Sequence, residues 1–284
     1  MMASDIYATP RLGTDISECF FYHTTDVPGY GVIKGLFDLR DGVQEYLGKV
    51  ELKGKRVLEM GTASGFLCFY MESKGAEIVA YDLSPEQLWD IVPLYTIDKG
   101  KVIAERKETI RKVNNAFWLC HRAFNSKAKM VYGTVYAVPR EIGMVDISTF
   151  GAILLHVRDP FLALQNALRL TRETVIITES YADLPTLIFN VLHIPVLGYQ
   201  VLDALHIYRR LSAPVRLPVM KFIPKPHGVY PDTWWNISPE ILIAMIAVLG
   251  FEKVSISYHW QKSGNTRVRC YTLVGHRTQD NYDY

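Results

Sequence analysis

The stretch Lys55–Ser84 constrains the fold more than any other part of this chain of 284 residues. It begins Lys-Arg-Val-Leu-Glu-Met-Gly-Thr-Ala-Ser-Gly-Phe and closes on Glu-Ile-Val-Ala-Tyr-Asp-Leu-Ser. Arg56–Met60 is a short apolar run, as a strand covered on both faces of a parallel sheet requires. Gly61 and Gly65 let the backbone turn sharply and place no Cβ between it and a ligand. Phe66–Lys74 has helical spacing and stops at Gly75. Glu77–Asp82 reads as a second strand ending in a carboxylate. Together these segments predict a βαβ unit whose first turn holds a nucleotide-like ligand against a helix N-terminus.

Two common fingerprints are missing from this turn. Counting from Gly61, Ala63 and Phe66 occupy the second and third glycine positions of a dinucleotide-binding G-x-G-x-x-G. Phe66 would block the close helix–strand packing that the third glycine permits. There is no Gly-Lys-Ser/Thr of a P-loop. Glu59, the G-x-x-x-G of Gly61–Gly65 and Asp82 instead resemble the class I S-adenosylmethionine (SAM) methyltransferases, with Ala63 in place of the motif's middle glycine. The resemblance extends to Phe21–Arg40, Val57–Phe66, Tyr132–Pro139 and Phe150–Leu164. These segments look like the branch of the superfamily that includes the carboxymethyl transferase of tRNA wobble uridine.

Strands alternating with helices predict an α/β, doubly wound, Rossmann-like sheet, mostly parallel, with ligands at the carboxyl ends of the strands. The resemblance makes it seven-stranded with an antiparallel last strand, and adds a helical lid insertion. After the βαβ unit, Ser84-Pro85-Glu86 is expected to open a helix. Lys101–Phe124 is expected as an amphipathic helix with a buried stripe of Ile103, Ile110, Val113, Phe117 and Cys120. Lys129–Val135, Asp146–Leu155 and Thr174–Glu179 are expected as strands, and Pro160–Leu170 as a helix. Ser238-Pro239-Glu240 starts another helix that stops at Gly250. Phe251–Trp260 and Thr266–His276 form a final antiparallel pair turning at Gly264-Asn265. Asp41–Val50 reads as a helix. Residues 1–20 read as a loosely held arm; the resemblance implies that the segment to residue 40 closes over cofactor or acceptor, the alternative being a tethered loop with a hydrogen-bonded His23. The SAM-binding domain is then 41–183 with 231–284. Segment 184–230 is a lid that shapes the acceptor pocket, or a dimerisation surface that makes a homodimer.

Composition narrows the classes further. A net charge of +2 makes no general polyanion binder. The basic residues of 101–124, Arg106 among them, suit RNA phosphates or simply a solvated face. The 4 cysteines are far apart, without C-x-x-C, and read as buried thiols of a reducing, cytoplasmic setting with no metal site. The N-terminus lacks a basic-then-apolar export signal. Leu184–Tyr208 is interrupted by Pro185, Asn190, Pro195 and Asp203, which argues against a membrane span.

The resemblance implies SAM as cofactor and S-adenosylhomocysteine (SAH) as product. Backbone amides of Gly61, Thr62, Ala63 and Gly65 suit the carboxylate end of SAM. Glu59 suits its cationic end, and Asp82 can accept from both ribose hydroxyls. Leu83 and Val135 are candidate apolar walls for adenine. His156 is the first candidate base or acceptor contact, followed by His23 and Tyr22. Glu179 and Trp234 are acceptor-side candidates, and Arg209 with Arg210 can clamp a carboxylate or phosphate. The alternatives are hydrogen-bonded structural histidines and solvated arginines. The expected activity is in-line methyl transfer to a small molecule, because the insertion reads as apolar and enclosing. Transfer of a methyl or carboxymethyl group to tRNA, and other SAM-dependent alkyl transfers or cyclisations, are the competing activities.

Overall fold

The computed structural model describes residues 6–11, 15–180, 218–229 and 231–279. In chain order, a small hairpin β1 (Thr25–Val27) and β2 (Gly31–Ile33) precedes β3 (Phe37–Asp38), helix α1 (Val43–Tyr46), β4 (Arg56–Met60), α2 (Phe66–Ser73) and β5 (Glu77–Asp82). Helix α3 (Lys99–Ala123), β6 (Lys129–Tyr132), β7 (Val145–Gly151), α4 (Pro160–Leu168) and β8 (Thr171–Ser180) follow. The last elements are β9 (Met220–Phe222), β10 (Trp235–Ile237), α5 (Pro239–Val248), β11 (Lys253–Ser263) and β12 (Thr266–His276).

The main sheet has 8 strands in the order β3-β11-β12-β8-β7-β4-β5-β6. β4 pairs in parallel with β5 and β7, β5 with β6 and β7 with β8, whereas β12 runs antiparallel to both β8 and β11. The doubly wound, mostly parallel sheet expected from the sequence is therefore present. The additional strand is the two-residue β3, which the N-terminal segment adds at the β11 edge.

Central strands are covered on both faces, so successive residues enter opposite cores. Val57, Ile78 and Met130 pack with α2 and α3, whereas Leu58, Val79 and Val131 pack with α4 and α5. Each fully buried side chain of this size contributes roughly 1.5–3 kcal/mol of hydrophobic stabilisation. Of the expected α3 stripe, Ile110, Val113, Phe117 and Cys120 are buried and Ile103 is partly so.

Several expectations change. Ser84 starts no helix: its amide is taken by the Gln87 side chain at 2.9 Å, and the chain runs irregularly to Asp98, which caps α3. The helix near residue 41 is one short turn, stopped by left-handed Gly48 and Lys49. The third strand ends at Tyr132 and the fourth at Gly151. Ala152 then turns left-handed, donating to Thr178 O at 2.7 Å, and His156 lies on a 3-10 turn, Leu154–His156, beyond the strand. Ser238 stands at the start of α5, but its hydroxyl accepts from Val219 N at 3.0 Å rather than from the helix. The described part of the N-terminal arm is fastened rather than loose: Ala8 N donates to Met130 O at 2.8 Å and Phe20 N to Lys112 O at 3.0 Å. Residues 181–217, which include most of the expected lid, lie outside the described residues. No described helix is long and apolar enough to cross a membrane. The four cysteines are free, and three of them are buried.

Candidate cofactor and acceptor site

The bend between β4 and α2 is built by left-handed backbone at Gly61 (φ 79°), Ala63 (φ 49°) and Gly65 (φ 88°). A Cβ at Gly61 would lie 2.6 Å from Ile153 Cγ2, and one at Gly65 would lie 2.3 Å from the Phe69 ring. Glycine is therefore required at both for conformation and for space. Gly61 N donates to Tyr81 O at 2.8 Å, Thr62 N to the same oxygen at 3.3 Å and Gly65 N to Thr62 O at 2.9 Å, which fixes the bend against β5; with Ala63 N donating to Asp82, the four amides expected to meet a carboxylate are spent inside the bend. Gly65 provides no side-chain cap for α2. The first-turn amides of α2 are thus presented to an anion, with the helix dipole behind them.

Asp82 turns toward this bend. Its Oδ2 accepts from Ala63 N and its Oδ1 from Leu83 N, both at 2.7 Å. Burial raises its pKa, and the two amides pull it back down. An ionised carboxylate has about four lone-pair sites, so two remain for hydroxyl donors. Leu83 is held in turn by Asn114 Nδ2, which donates to its carbonyl at 3.0 Å. Gly133 N donates to the backbone carbonyl of Asp82 at 2.9 Å, which brings the 133–136 loop beside the same residue. Val135 in that loop accepts from Asn166 Nδ2 at 3.3 Å and packs on the α4 side of the sheet.

Glu59 is 3% exposed and accepts from Thr62 Oγ1 at 2.7 Å. Burial pushes its pKa up to about 8, against the Thr62 bond and with the nearby Asp82 charge. No described cation offsets it. A buried carboxylate without a counter-charge is expensive to ionise, so the free protein holds Glu59 as the neutral acid near neutral pH.

The acceptor-side candidates converge next to this bend. Ile153, which fills the space over Gly61, opens the turn that carries His156. Glu179 is 2% exposed at the end of β8, and its Oε1 accepts from Leu154 N at 2.8 Å. Burial pushes its pKa up to about 8, while the Leu154 and Leu155 amides pull it down. Tyr22 has its pKa raised by burial and by the charges of Glu179 and Asp232. Its amide donates to Ser64 Oγ at 3.2 Å, which docks the N-terminal segment on the bend. His23 lies against Tyr22 and Phe66, with ring centroids 5.1 and 5.9 Å away. Its Nδ1 is buried without a partner among the described residues, and burial pulls its pKa down to about 4. Trp234 N donates to Leu155 O at 2.9 Å and its indole Nε1 to Asp90 O at 2.6 Å. Arg209 and Arg210 lie outside the described residues.

Four site-building residues were not singled out in the sequence. Ser64 and Asn114 had weak signals, as polar residues inside apolar surroundings. Asp90 and Asp232 had none, because each acts on residues far away in the chain. Arg106, read from sequence as part of a basic face, instead pairs with Asp232. Arg111 and Lys112 on the same helix pair with Glu108, and Arg111 also with Glu18.

No known protein family and no curated protein matches the sequence. Among solved structures, the fold is similar to the N-terminal domain of EvdMO1 in the presence of SAH and D-fucose. That match has 17% identity, covers 90% of each chain and has a TM-score of 0.52. Weaker likenesses are to magnesium protoporphyrin IX methyltransferase (ChlM) from Synechocystis PCC 6803 with bound SAH (11% identity, 84% and 82% coverage, TM-score 0.47). A third is to Burkholderia thailandensis 1,6-didemethyltoxoflavin-N1-methyltransferase (9% identity, 85% and 78% coverage, TM-score 0.49). The chain shares the Rossmann-like fold of the EvdMO1 N-terminal domain.

Proposed function

We propose that this protein is a SAM-dependent methyltransferase acting on a small-molecule acceptor. The observation that carries this reading is Asp82, seated by the Ala63 amide at the mouth of a glycine bend whose helix start is uncapped. The first-turn amides of α2, which open at the bend, take the carboxylate of SAM, Asp82 the ribose hydroxyls, and Glu59 the cationic end. Leu83 and the 133–136 loop with Val135 border the adenine. Bound SAM supplies a methyl carbon activated by its positive sulfur. The residues of this chain supply orientation and exclude water.

His156 is the acceptor-side base. Burial lowers its pKa, against the Asp232 carbonyl and charge, so the ring is neutral near pH 7 and can accept a proton. Glu179, Tyr22, His23 and Trp234 line the same side. We assign acceptor selection to segment 184–230, with Arg209 and Arg210, and treat 41–183 with 231–284 as the cofactor domain. The small-molecule reading is supported by the EvdMO1 domain, which is described with SAH and D-fucose. It is also supported by α3, where Arg106, Arg111 and Lys112 are engaged by carboxylates rather than left for phosphates.

Calorimetric titration with SAM and SAH tests the cofactor assignment; well-folded protein that binds neither would overturn it. Identification of the by-product tests the reaction. SAH supports methyl transfer, whereas methylthioadenosine would replace it with another SAM-dependent transfer or cyclisation. Retention of total tRNA at moderate salt would shift the acceptor to nucleic acid.

A further inference from the structure

We infer that Arg106 is a positioning residue for His156, acting through Asp232 from a helix that carries no other acceptor-side candidate. The inference rests on the proposed acceptor-side role of His156.

Three contacts form the chain. Arg106 Nε donates to Asp232 Oδ1 at 2.8 Å, and its Nη2 donates to Asp232 Oδ2, a bidentate pair. Such a fork fixes the carboxylate in orientation as well as place. The guanidinium also lies over the Trp89 ring, 5.4 Å from its centroid. The two side chains are 25% and 32% exposed, so the pair is partly shielded from solvent. The backbone carbonyl of the same Asp232 is the hydrogen-bond partner of His156 Nδ1.

A carbonyl oxygen can only accept. The hydrogen bond therefore places the imidazole proton on Nδ1 and leaves the lone pair on Nε2. Nε2 has no bonded partner among the described residues, so the ring is held in the tautomer a proton acceptor needs. Asp232 lies two residues past the 184–230 segment and belongs to no helix or strand. Its anchors among the described residues are the Arg106 fork, the bond from Val92 N to Pro231 O at 2.8 Å and that from Trp234 N to Leu155 O at 2.9 Å. Without the fork, the backbone is still pinned at Pro231 and Trp234, but nothing holds the Asp232 side chain and, with it, the orientation of the carbonyl that sets the His156 tautomer. The geometry thus links helix α3, the end of the insertion and the His156 turn.

The test is nitrogen NMR of the full chain labelled with ¹⁵N-histidine, with His156 assigned by the signal that His156→Gln removes. Wild type is expected to show His156 with protonated Nδ1 and bare Nε2. Arg106→Met is expected to replace this pattern by an averaged or Nε2-protonated one, while the signals of His259, on β11 with its ring bonded to Thr272 and Gln261, stay unchanged. Arg106→Lys, which keeps the charge but not the fork, is expected to restore it only in part. SAM titration of each variant confirms an intact cofactor site. Where Arg106→Met fails to fold, Arg106→Lys alone decides. A wild-type His156 protonated on Nε2, or a tautomer unmoved in a folded Arg106 variant, would overturn the inference. Loss of the acceptor-side role is seen separately: His156→Gln would then leave methyl transfer unchanged while the NMR pattern still holds.

Discussion

The proposed cofactor end and the proposed acceptor end of this site are built differently. Glu59, the Gly61–Gly65 bend and Asp82 lie within one βαβ unit, and their key bonds, Ala63 to Asp82 and Thr62 to Glu59, span 19 and 3 positions. The acceptor end gathers Tyr22 from the N-terminal segment, His156 from the turn after β7, Glu179 from β8 and Asp232 after the insertion. Its bonds join residues far apart in sequence, such as Arg106 to Asp232 and His156 to Asp232. The cofactor end thus forms with local secondary structure, whereas the acceptor end exists only when the whole sheet and the end of the insertion are in place. The cofactor end can stay constant while distant segments vary to fit an acceptor.

The largest effect expected from breaking this division is at the contact between the halves. Gly61→Val puts a branched side chain where Ile153 Cγ2 would be 2.6 Å away, on left-handed backbone. It is expected to reduce SAM affinity by more than ~100-fold and to displace the His156 turn as well, given strain of about 1–3 kcal/mol besides the clash. Calorimetry and the His156 NMR signals read the two consequences, and unchanged SAM binding would contradict the role of the bend.

His156→Gln should separate the halves. Methyl transfer to an acceptor found by screening is expected to fall by about 100-fold or more, the usual scale of a lost proton acceptor, with SAM affinity unchanged. Equal losses in both would mean that the two ends are not independent.

A pH series sharpens the comparison at the charged groups. Glu59 and Glu179 have pKa values raised from 4.5 to about 8. In that interval the folded protein holds protons that the unfolded chain has lost, so apo stability falls as pH rises. His23 titrates the other way, from 6.5 to about 4, and is silent above pH 6.5. A cationic ligand that ionises one of these carboxyls must release its proton. SAM affinity is therefore expected to rise up to about tenfold per pH unit between roughly pH 6.5 and 8. Glu59→Gln should flatten that rise, while Glu179→Gln should leave it in place if Glu179 serves only the acceptor. Isothermal titration across buffers of different ionisation heat checks both.

Ser64→Ala is the smallest perturbation. It removes the oxygen that accepts the Tyr22 amide at 3.2 Å. One lost hydrogen bond of about 1 kcal/mol corresponds to roughly fivefold, expected in the acceptor KM with little change in SAM affinity.

The same division governs what the sequence revealed. β4, α2 and β5 were legible nearly to the residue, because a buried parallel strand, a two-glycine bend and a strand-end acid each leave a local mark. β12 was read without error because its alternation runs to a Gly-Asn turn. Ser84 misled, since a serine followed by proline also suits a plain turn closed by a side chain, here Gln87. His156 was expected at the end of the fourth strand and instead lies on a turn beyond it, because Ala152 adopts a left-handed conformation that its identity does not announce. Arg106 looked like surface charge because its partner lies 126 positions away.

The most direct measurement is calorimetric SAM binding to wild type and to Asp82→Ala. Asp82 accepts from Ala63 and Leu83 and has lone pairs left for the ribose. The account predicts clear binding to the wild type and a loss of roughly 100-fold in the variant, about two hydrogen bonds to a charged group. Equal SAM affinity in a folded Asp82→Ala protein, or none in either, would contradict it.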